Sequence, residues 1–208
     1  MKKFFSIILL TTLLAGCLTN MPSDKYPANT TDVCEDKYKK MRYEFASSTN
    51  YNAYSIQIIE KVLIDEGMEA WNTGDVVTTV IKFQEAIDIC PISIETHRRL
   101  ADTFEIIIED SDEEDVKNNF RILEKKHRKI ADGLVASILK SGTGKSPETA
   151  YKVISISEEY MALLYLELSA TEQSLIEENG RFYDLITAKD LNGKTHEIYF
   201  DITLFHSI

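Results

Sequence analysis

The chain has 208 residues and a formal net charge of −11 at neutral pH. This length suits one sizeable domain or two small ones that share a core. Because phosphate backbones and anionic lipid headgroups repel an acidic protein, nucleic acid is excluded as a predicted partner.

The N-terminal segment has the pattern of an export signal. Lys2 and Lys3 give a cationic start, and the apolar run of about 11 residues that follows is well short of the roughly 20 of a membrane-spanning helix. Small residues then precede Cys17. The whole arrangement resembles a bacterial lipoprotein signal. The resemblance implies that residues 1–16 are removed and that Cys17 carries acyl chains such as palmitate, which together anchor a protein almost permanently. The alternatives are a secretory signal with an accidental cysteine and an uncleaved membrane anchor.

Residues 17–36 are predicted to form a flexible, lipidated tether. They are polar, contain Pro22 and Pro27, and show no sustained periodicity. Leu18 stands where inner-membrane lipoproteins of enteric bacteria often have aspartate. We therefore expect a cell-envelope location, on the outer membrane facing the periplasm if the host has two membranes.

Two further cysteines, Cys34 and Cys90, are candidates for a disulfide outside the cytoplasm. Such a bond would fasten the end of the tether to the folded body. The alternative is a buried Cys90 at a helix end and a free thiol at Cys34.

Residues 37–141 are predicted to form a tetratricopeptide-like helical region. Ile56, Ile59, Val62 and Leu63 recur at helical spacing and predict an amphipathic helix. A repeat pattern then follows, in which a small residue allows close helix approach, a Gly-Asp pair makes the turn, a large and a small residue pack together, and a proline ends the second helix. These positions are Gly67, Gly74-Asp75, Phe83, Ala86 and Pro91.

A second, degenerate unit begins near Ile94, with Leu100, Ala101 and Phe104 at the packing positions of its first helix. The acidic run 109–115 replaces the expected turn and leads into a long helix ending near residue 139. Since about three repeats are needed to bury stacked faces, the remaining elements are expected to act as caps. Trp71, Asn72 and Arg98 are the candidate contact residues for a protein or peptide partner, with ordinary packing or surface roles as the alternative.

Several short motifs fail as functional sites. Residues 141–146 resemble a phosphate-binding loop, but Leu139 replaces its first glycine and Pro147 follows at once. The acidic run lacks the glycine and glutamate of a calcium loop, and the four histidines, His97, His127, His196 and His206, show no metal-ligand spacing. We predict no catalytic residue, metal or cofactor.

Residues 142–208 are predicted to form a small, mainly antiparallel β-sheet with one short helix, which makes the fold class α+β. Residues 151–156 form a β-branched run, and Ser157 followed by two glutamates indicates a helix start that leads into Tyr160 and an apolar face. Asn179-Gly180 and Asn192-Gly193 are hairpin signals. In the last strand, Ile198, Phe200, Ile202 and Leu204 are predicted to share one face.

The same region resembles an uncharacterised bacterial family that pairs tetratricopeptide-like helices with a C-terminal α+β module in exported proteins. The resemblance covers most of residues 53–205. The segments that carry it are Gly144-Lys145-Ser146-Pro147-Glu148-Thr149-Ala150-Tyr151, Val153-Ile154-Ser155, Glu158-Glu159-Tyr160, Gln173-Ser174-Leu175 and Tyr199-Phe200-Asp201-Ile202. It implies no activity, cofactor or catalytic residue.

Glu158 and Glu159 are adjacent on a helix and diverge by about 100°, so they are not expected to work as a facing pair. One is expected to cap or to pair, and Tyr160 to pack. The sequence thus predicts a lipid-anchored envelope protein that binds a protein or has a structural role, without turnover. The alternative is a hydrolase or small-ligand binder in the crease between helices and sheet, using some of Glu158, Glu159, Tyr160 and His196.

Overall fold

The computed structural model describes residues 32–48 and 51–206, with side chains from residue 37 onward. Seven α-helices and a four-stranded mixed sheet form in these residues, so the predicted α+β class is confirmed. The helices are α1 Asp32–Ala46, α2 Ala53–Asn72, α3 Val76–Ile89, α4 Ile94–Asp110, α5 Glu114–Leu139, α6 Ile156–Tyr165 and α7 Thr203–His206. The strands are β1 Tyr151–Lys152, β2 Ser169–Glu178, β3 Arg181–Lys189 and β4 Thr195–Asp201. Among these helices, none is both long and apolar enough to span a bilayer.

Helices α2 and α3 form a hairpin around the predicted Gly-Asp turn. Gly74 adopts a positive φ of 80°, which glycine accepts without steric cost. Asp75 caps α3, since its Oδ1 accepts a hydrogen bond from the Thr78 amide at 3.0 Å. A Cβ at Gly67 would lie 2.6 Å from a ring carbon of Phe83, so the predicted close approach of the two helices is confirmed.

The buried face of α2 matches the predicted one only in part, since Ile56 and Leu63 are half-buried and pack against the core. Its fully buried residues are Ala53, Glu60, Ile64, Gly67 and Ala70. Ile59 and Val62, which the periodicity placed on the apolar stripe, are exposed. Apolar residues occupy both sides of this helix, and the small residues face inward because they allow the neighbouring helices to approach closely.

Helices α4 and α5 continue the helical body. Ser93 caps α4, and Leu100, Ala101 and Phe104 are buried as predicted. Helix α5 packs along α4 and also against α1. A Cβ at Gly133 of α5 would lie 2.1 Å from the ring of Tyr38, so this crossing of α1 and α5 depends on glycine.

The sheet has the strand order β1-β4-β3-β2. β2 and β3 form an antiparallel hairpin around Asn179 and Gly180, which both have positive φ as predicted. β4 pairs antiparallel with β3, and the short β1 pairs parallel with β4. The sheet is therefore mixed, although most of its pairing is antiparallel.

Three details of the C-terminal prediction are wrong. The apolar run after Ala150 gives a strand of only two residues, because Val153 and Ile154 turn into the core instead of continuing the ladder. Helix α6 starts at Ile156, one residue before the predicted start at Ser157, and its cap is Ser155. The strand β4 ends at Asp201, so Leu204 lies exposed in α7 and does not share a strand face with Phe200.

The core consists of two clusters. The larger one combines residues of α1, α5, α6 and the sheet, and the smaller one lies between α2, α3, α4 and α5. The short helix α6 thus lies where the helical body meets the sheet.

Candidate functional site

The first turn of α6 carries two buried acids with different surroundings. Glu158 and Glu159 follow the Ser155 cap, whose Oγ accepts a hydrogen bond from the Glu158 amide. Both side chains are almost fully shielded from solvent. As predicted from helix geometry, they diverge, one toward α1 and the other toward the sheet.

Glu158 forms a buried ion pair with Arg42 of α1. The Arg42 Nε and Nη2 atoms donate to the two carboxylate oxygens of Glu158 at 2.7 and 2.6 Å. Arg42 also donates to Ser137 Oγ at 3.1 Å and to the Lys152 carbonyl at 2.8 Å, while the Ile154 amide donates to Glu158 at 2.9 Å. The pair therefore joins α1, α5, β1 and α6, and it confirms that one of the two acids pairs.

Glu159 lies on the opposite side of α6 against the sheet. Both of its carboxyl oxygens are buried without a hydrogen-bond partner among the described residues. Burial, together with the adjacent charge of Asp184 on β3 and that of Glu158, raises the pKa of Glu159 to about 9. Glu159 is thus a neutral carboxylic acid at pH 7, and its proton is available for a hydrogen bond to the Asp184 carboxylate.

A polar chain connects this acid pair to the surface. Gln173 of β2 donates from Nε2 to Asp184 Oδ2 at 2.7 Å, and the Tyr160 hydroxyl donates to Gln173 Oε1 at 3.0 Å. The prediction that Tyr160 packs is wrong, since 45 % of this residue is exposed. We call Glu159, Asp184, Gln173 and Tyr160 the acid site; it lies in the crease between α6 and β2.

His196 does not belong to the acid site. It pairs in register with Ala188, four residues along β3 from Asp184. Its Nε2 lies 2.9 Å from Asp190 Oδ2 beside the β3–β4 turn. Of the four residues suggested for an enzyme, the structure thus brings together only Glu159 and Tyr160.

A pair of buried histidines links α4 and α5. The Nδ1 atoms of His97 and His127 are 2.8 Å apart, and His97 Nε2 lies 3.2 Å from the Pro91 carbonyl. Since a carbonyl only accepts, His97 carries its proton on Nε2 and accepts at Nδ1 from His127. Burial lowers the pKa of both histidines, that of His127 to about 4. Both rings are therefore neutral packing residues, and the described residues contain no group of three or more potential metal-ligating side chains.

A small cavity of about 20 Å³ lies beside Cys90, with room for one water molecule. Glu60 lines it and accepts a hydrogen bond from Thr96 Oγ1 at 3.1 Å. Burial raises the pKa of the Glu60 carboxyl and raises that of the Cys90 thiol well above its usual value. Cys17 and the side chain of Cys34 lie outside the described residues, so lipidation and the disulfide stay predictions.

The largest accumulation of exposed apolar side chains is on the first hairpin. Of the twelve large hydrophobic residues exposed in the described part of the chain, seven lie on α2 and α3. We call them the α2–α3 surface: Tyr54, Ile58, Ile59, Val62, Val77, Ile81 and Ile89.

The three predicted partner-contact residues lie in two places. Trp71 is half-buried and Asn72 is exposed at the end of α2. The Arg98 guanidinium lies over the ring of Tyr165 on α6, 5.5 Å from its centre. Whether any of the three contacts a partner stays a prediction.

The fold and the acid site define an α+β protein in which a helical body is joined to a mixed sheet through one short helix with two buried acids in its first turn. Residues 24–207 match a family described as a domain of unknown function (DUF4919), and the chain belongs to this family. The expected membership of an uncharacterised family is therefore confirmed. Neither the curated proteins nor the solved structures include a match to the chain.

Proposed function

We propose that this chain is a lipid-anchored cell-envelope protein that binds a partner protein through the α2–α3 surface and catalyses no reaction. Cys17 would carry the lipid, and residues 17–36 would connect it to the folded body. In a host with two membranes, the protein would lie on the outer membrane and face the periplasm.

The exposed α2–α3 surface is the observation that carries the binding proposal. Tyr54, Ile58 and Val62 are spaced four residues apart and form one stripe along α2. Contiguous apolar surface on a soluble domain is costly to leave in water and commonly marks an interaction site. A partner helix or groove that covers this stripe would remove that surface from water.

The charged neighbours of the stripe support the same interpretation. Lys61 pairs with Asp65, and Lys82 pairs with Glu66 and Glu85. Interfaces usually combine an apolar centre with a polar rim. The helix pairing at Gly67 and the Asp75 cap also follow the tetratricopeptide pattern, which is associated with peptide and protein binding.

In-cell cross-linking with matched variants tests the binding proposal. Ile58 and Ile122 are the same residue type with 66 % and 67 % exposure, but Ile122 belongs to α5 and is not part of the α2–α3 surface. We expect Ile58→Asp to remove a specific cross-linked neighbour and Ile122→Asp to leave it. Equal loss in both variants, or no specific neighbour for the wild type, would contradict the proposal.

Lipid anchoring has its own test. Cys17→Ser is expected to abolish metabolic labelling with a radioactive or clickable palmitate and to release the protein from the membrane fraction. Cys34→Ser is the matched control, and it should change neither readout. Unchanged labelling in Cys17→Ser would rule out this anchor.

A second candidate function is turnover or small-ligand binding in the crease between α6 and β2. The neutral Glu159 at the inner end of the acid site favours it, because a carboxylic acid that keeps its proton at pH 7 can act as a general acid. Glu159→Gln would abolish such an activity against a panel of ester, glycoside and amide substrates, whereas Ile58→Asp would not. Under the binding proposal, the wild type turns over none of these substrates, so Glu159→Gln and Ile58→Asp do not differ from it in this assay.

A further inference from the structure

We infer that the free edge of β2 is a docking site for an extended, lysine- or arginine-bearing segment of a partner protein, which joins the sheet as a fifth strand. This surface is separate from the α2–α3 surface. The inference rests on the proposed function only in treating the chain as a binding protein.

β2 is the longest strand of the sheet and lies at its edge. It pairs with β3 from Ser169 to Glu178, and nine of its ten residues are exposed, Ile176 being the half-buried one. Within the described ranges, no backbone hydrogen bond reaches β2 from outside the β2–β3 pair. About half of its backbone N–H and C=O groups therefore point away from β3 without a sheet partner.

Little in the strand itself prevents pairing. Natural edge strands are usually short, bulged or interrupted by proline. The opposite edge, β1, has only two residues. In β2 the single register shift lies between Ala170 and Glu172, which leaves residues 172–178 regular over roughly 24 Å.

The side chains of β2 would also be partly covered by an added strand. Leu175 is opposite Asp184 and therefore points to the helix side of the sheet, yet 56 % of it is exposed because α6 does not extend over it. Ile176 is opposite Tyr183 on the other side. A fifth strand would supply alternating neighbours to both, as strand addition does in known recognition modules.

The charges on β2 select the occupant. Glu172, Glu177 and Glu178 are exposed, and the strand contains no lysine or arginine. A second copy of the same edge would bring these acids near one another, and like charges on paired strands are unfavourable. A lysine- or arginine-bearing strand instead meets opposite charges on both faces, so the acids oppose self-pairing and favour a cationic partner.

A designed peptide tests the inference on the full chain in detergent micelles. The probe is a ten-residue peptide of alternating lysine and valine, and its control has glutamate in place of lysine. We expect saturable binding of the lysine peptide only, with hydrogen-exchange protection centred on residues 169–178. Absence of binding at millimolar lysine peptide, or protection centred elsewhere, would overturn the inference.

Two triple variants separate edge pairing from diffuse attraction of a cation to an acidic protein. Glu172→Lys/Glu177→Lys/Glu178→Lys should lower the affinity for the lysine peptide by about tenfold or more and allow the glutamate peptide to bind. Asp110→Lys/Asp112→Lys/Glu113→Lys makes the same charge change at the exposed end of α4 and in the loop before α5 and should keep the original preference. Equal weakening of peptide binding in both triple variants would contradict the inference. So would self-association of the chain without peptide, seen by light scattering together with hydrogen-exchange protection of β2. Ile58→Asp should retain peptide binding, so failure of this inference and failure of the α2–α3 proposal give different results.

Discussion

Replacing Glu159 with glutamine should remove a large part of the pH dependence of folding stability. The folded chain holds the Glu159 proton up to about pH 9, because the site is buried and faces Asp184. The unfolded chain releases it near its ordinary pKa of 4.5. Between about pH 4.5 and 9, folding is therefore accompanied by the uptake of one proton. The contribution of Glu159 to the free energy of unfolding is complete at low pH and is lost as the pH rises toward 9.

The magnitude follows from the size of the pKa change. At about 1.4 kcal/mol per pH unit, moving a carboxyl pKa from 4.5 to about 9 corresponds to about 6 kcal/mol over the whole range. Glutamine has the same shape, never ionises, and can donate its amide hydrogen to Asp184. The wild type should thus lose up to about 1.4 kcal/mol per pH unit relative to Glu159→Gln between about pH 5 and 9.

Urea unfolding of both proteins at several pH values measures this difference directly. Glu177→Gln, an exposed neutralisation on β2, is the control and should run parallel to the wild type. In Asp184→Asn, the loss of stability with rising pH should stop at a lower pH than in the wild type, because the charge of Asp184 contributes to the raised pKa of Glu159. If wild type and Glu159→Gln stay parallel from pH 5 to 9, Glu159 is ionised in the folded protein and the assignment is wrong.

Three further changes test the packing of the helices. Arg42→Met should cost about 3–5 kcal/mol in urea unfolding, because it leaves Glu158 charged and unpaired in the interior; an effect below about 1 kcal/mol would contradict a buried pair. Gly133→Ala should lower stability by about 1–3 kcal/mol through overlap with Tyr38, and unchanged stability would show that α1 shifts freely. The contribution of His127 to folding stability should fall as the pH drops from about 6.5 to 4, because His127 folds neutral with a pKa of about 4; a His127 resonance that titrates near pH 6.5 in NMR would refute this.

Local signals predicted much of the fold because they act over a few residues. Gly74-Asp75 and Asn179-Gly180 form their turns at the expected places, and the period-3.6 segments are helices. Residues 153–154 were predicted as strand and are not, because a short apolar run has the same pattern whether it pairs in a ladder or turns into a core. Similarly, the outward side of α2 could not be told from its inward side, since both carry aliphatic residues.

The acid site was only partly predictable. The divergence of Glu158 and Glu159 follows from helix geometry, but acids in a first helical turn are normally solvent-exposed groups that complement the helix dipole. Their burial depends on Arg42, which lies 116 residues away in sequence, and on Asp184 across the sheet. No local pattern carries that information, since α1 also contains Lys37, Lys39 and Lys40, and nothing in the sequence distinguishes Arg42 from these other cations.

The ion pair also explains how a helix of ten residues keeps one position on the sheet. α6 buries only a few apolar residues, among them Met161, Ala162 and Leu163, and aliphatic contacts alone would tolerate a shift along the helix axis. The hydrogen bonds at Arg42 and Glu158 are directional, so they are satisfied in one register only. Arg42→Met/Glu158→Leu should therefore recover most of the stability lost in Arg42→Met while α6 amides exchange faster than in the wild type. Recovery with unchanged exchange would mean that apolar packing alone fixes the register.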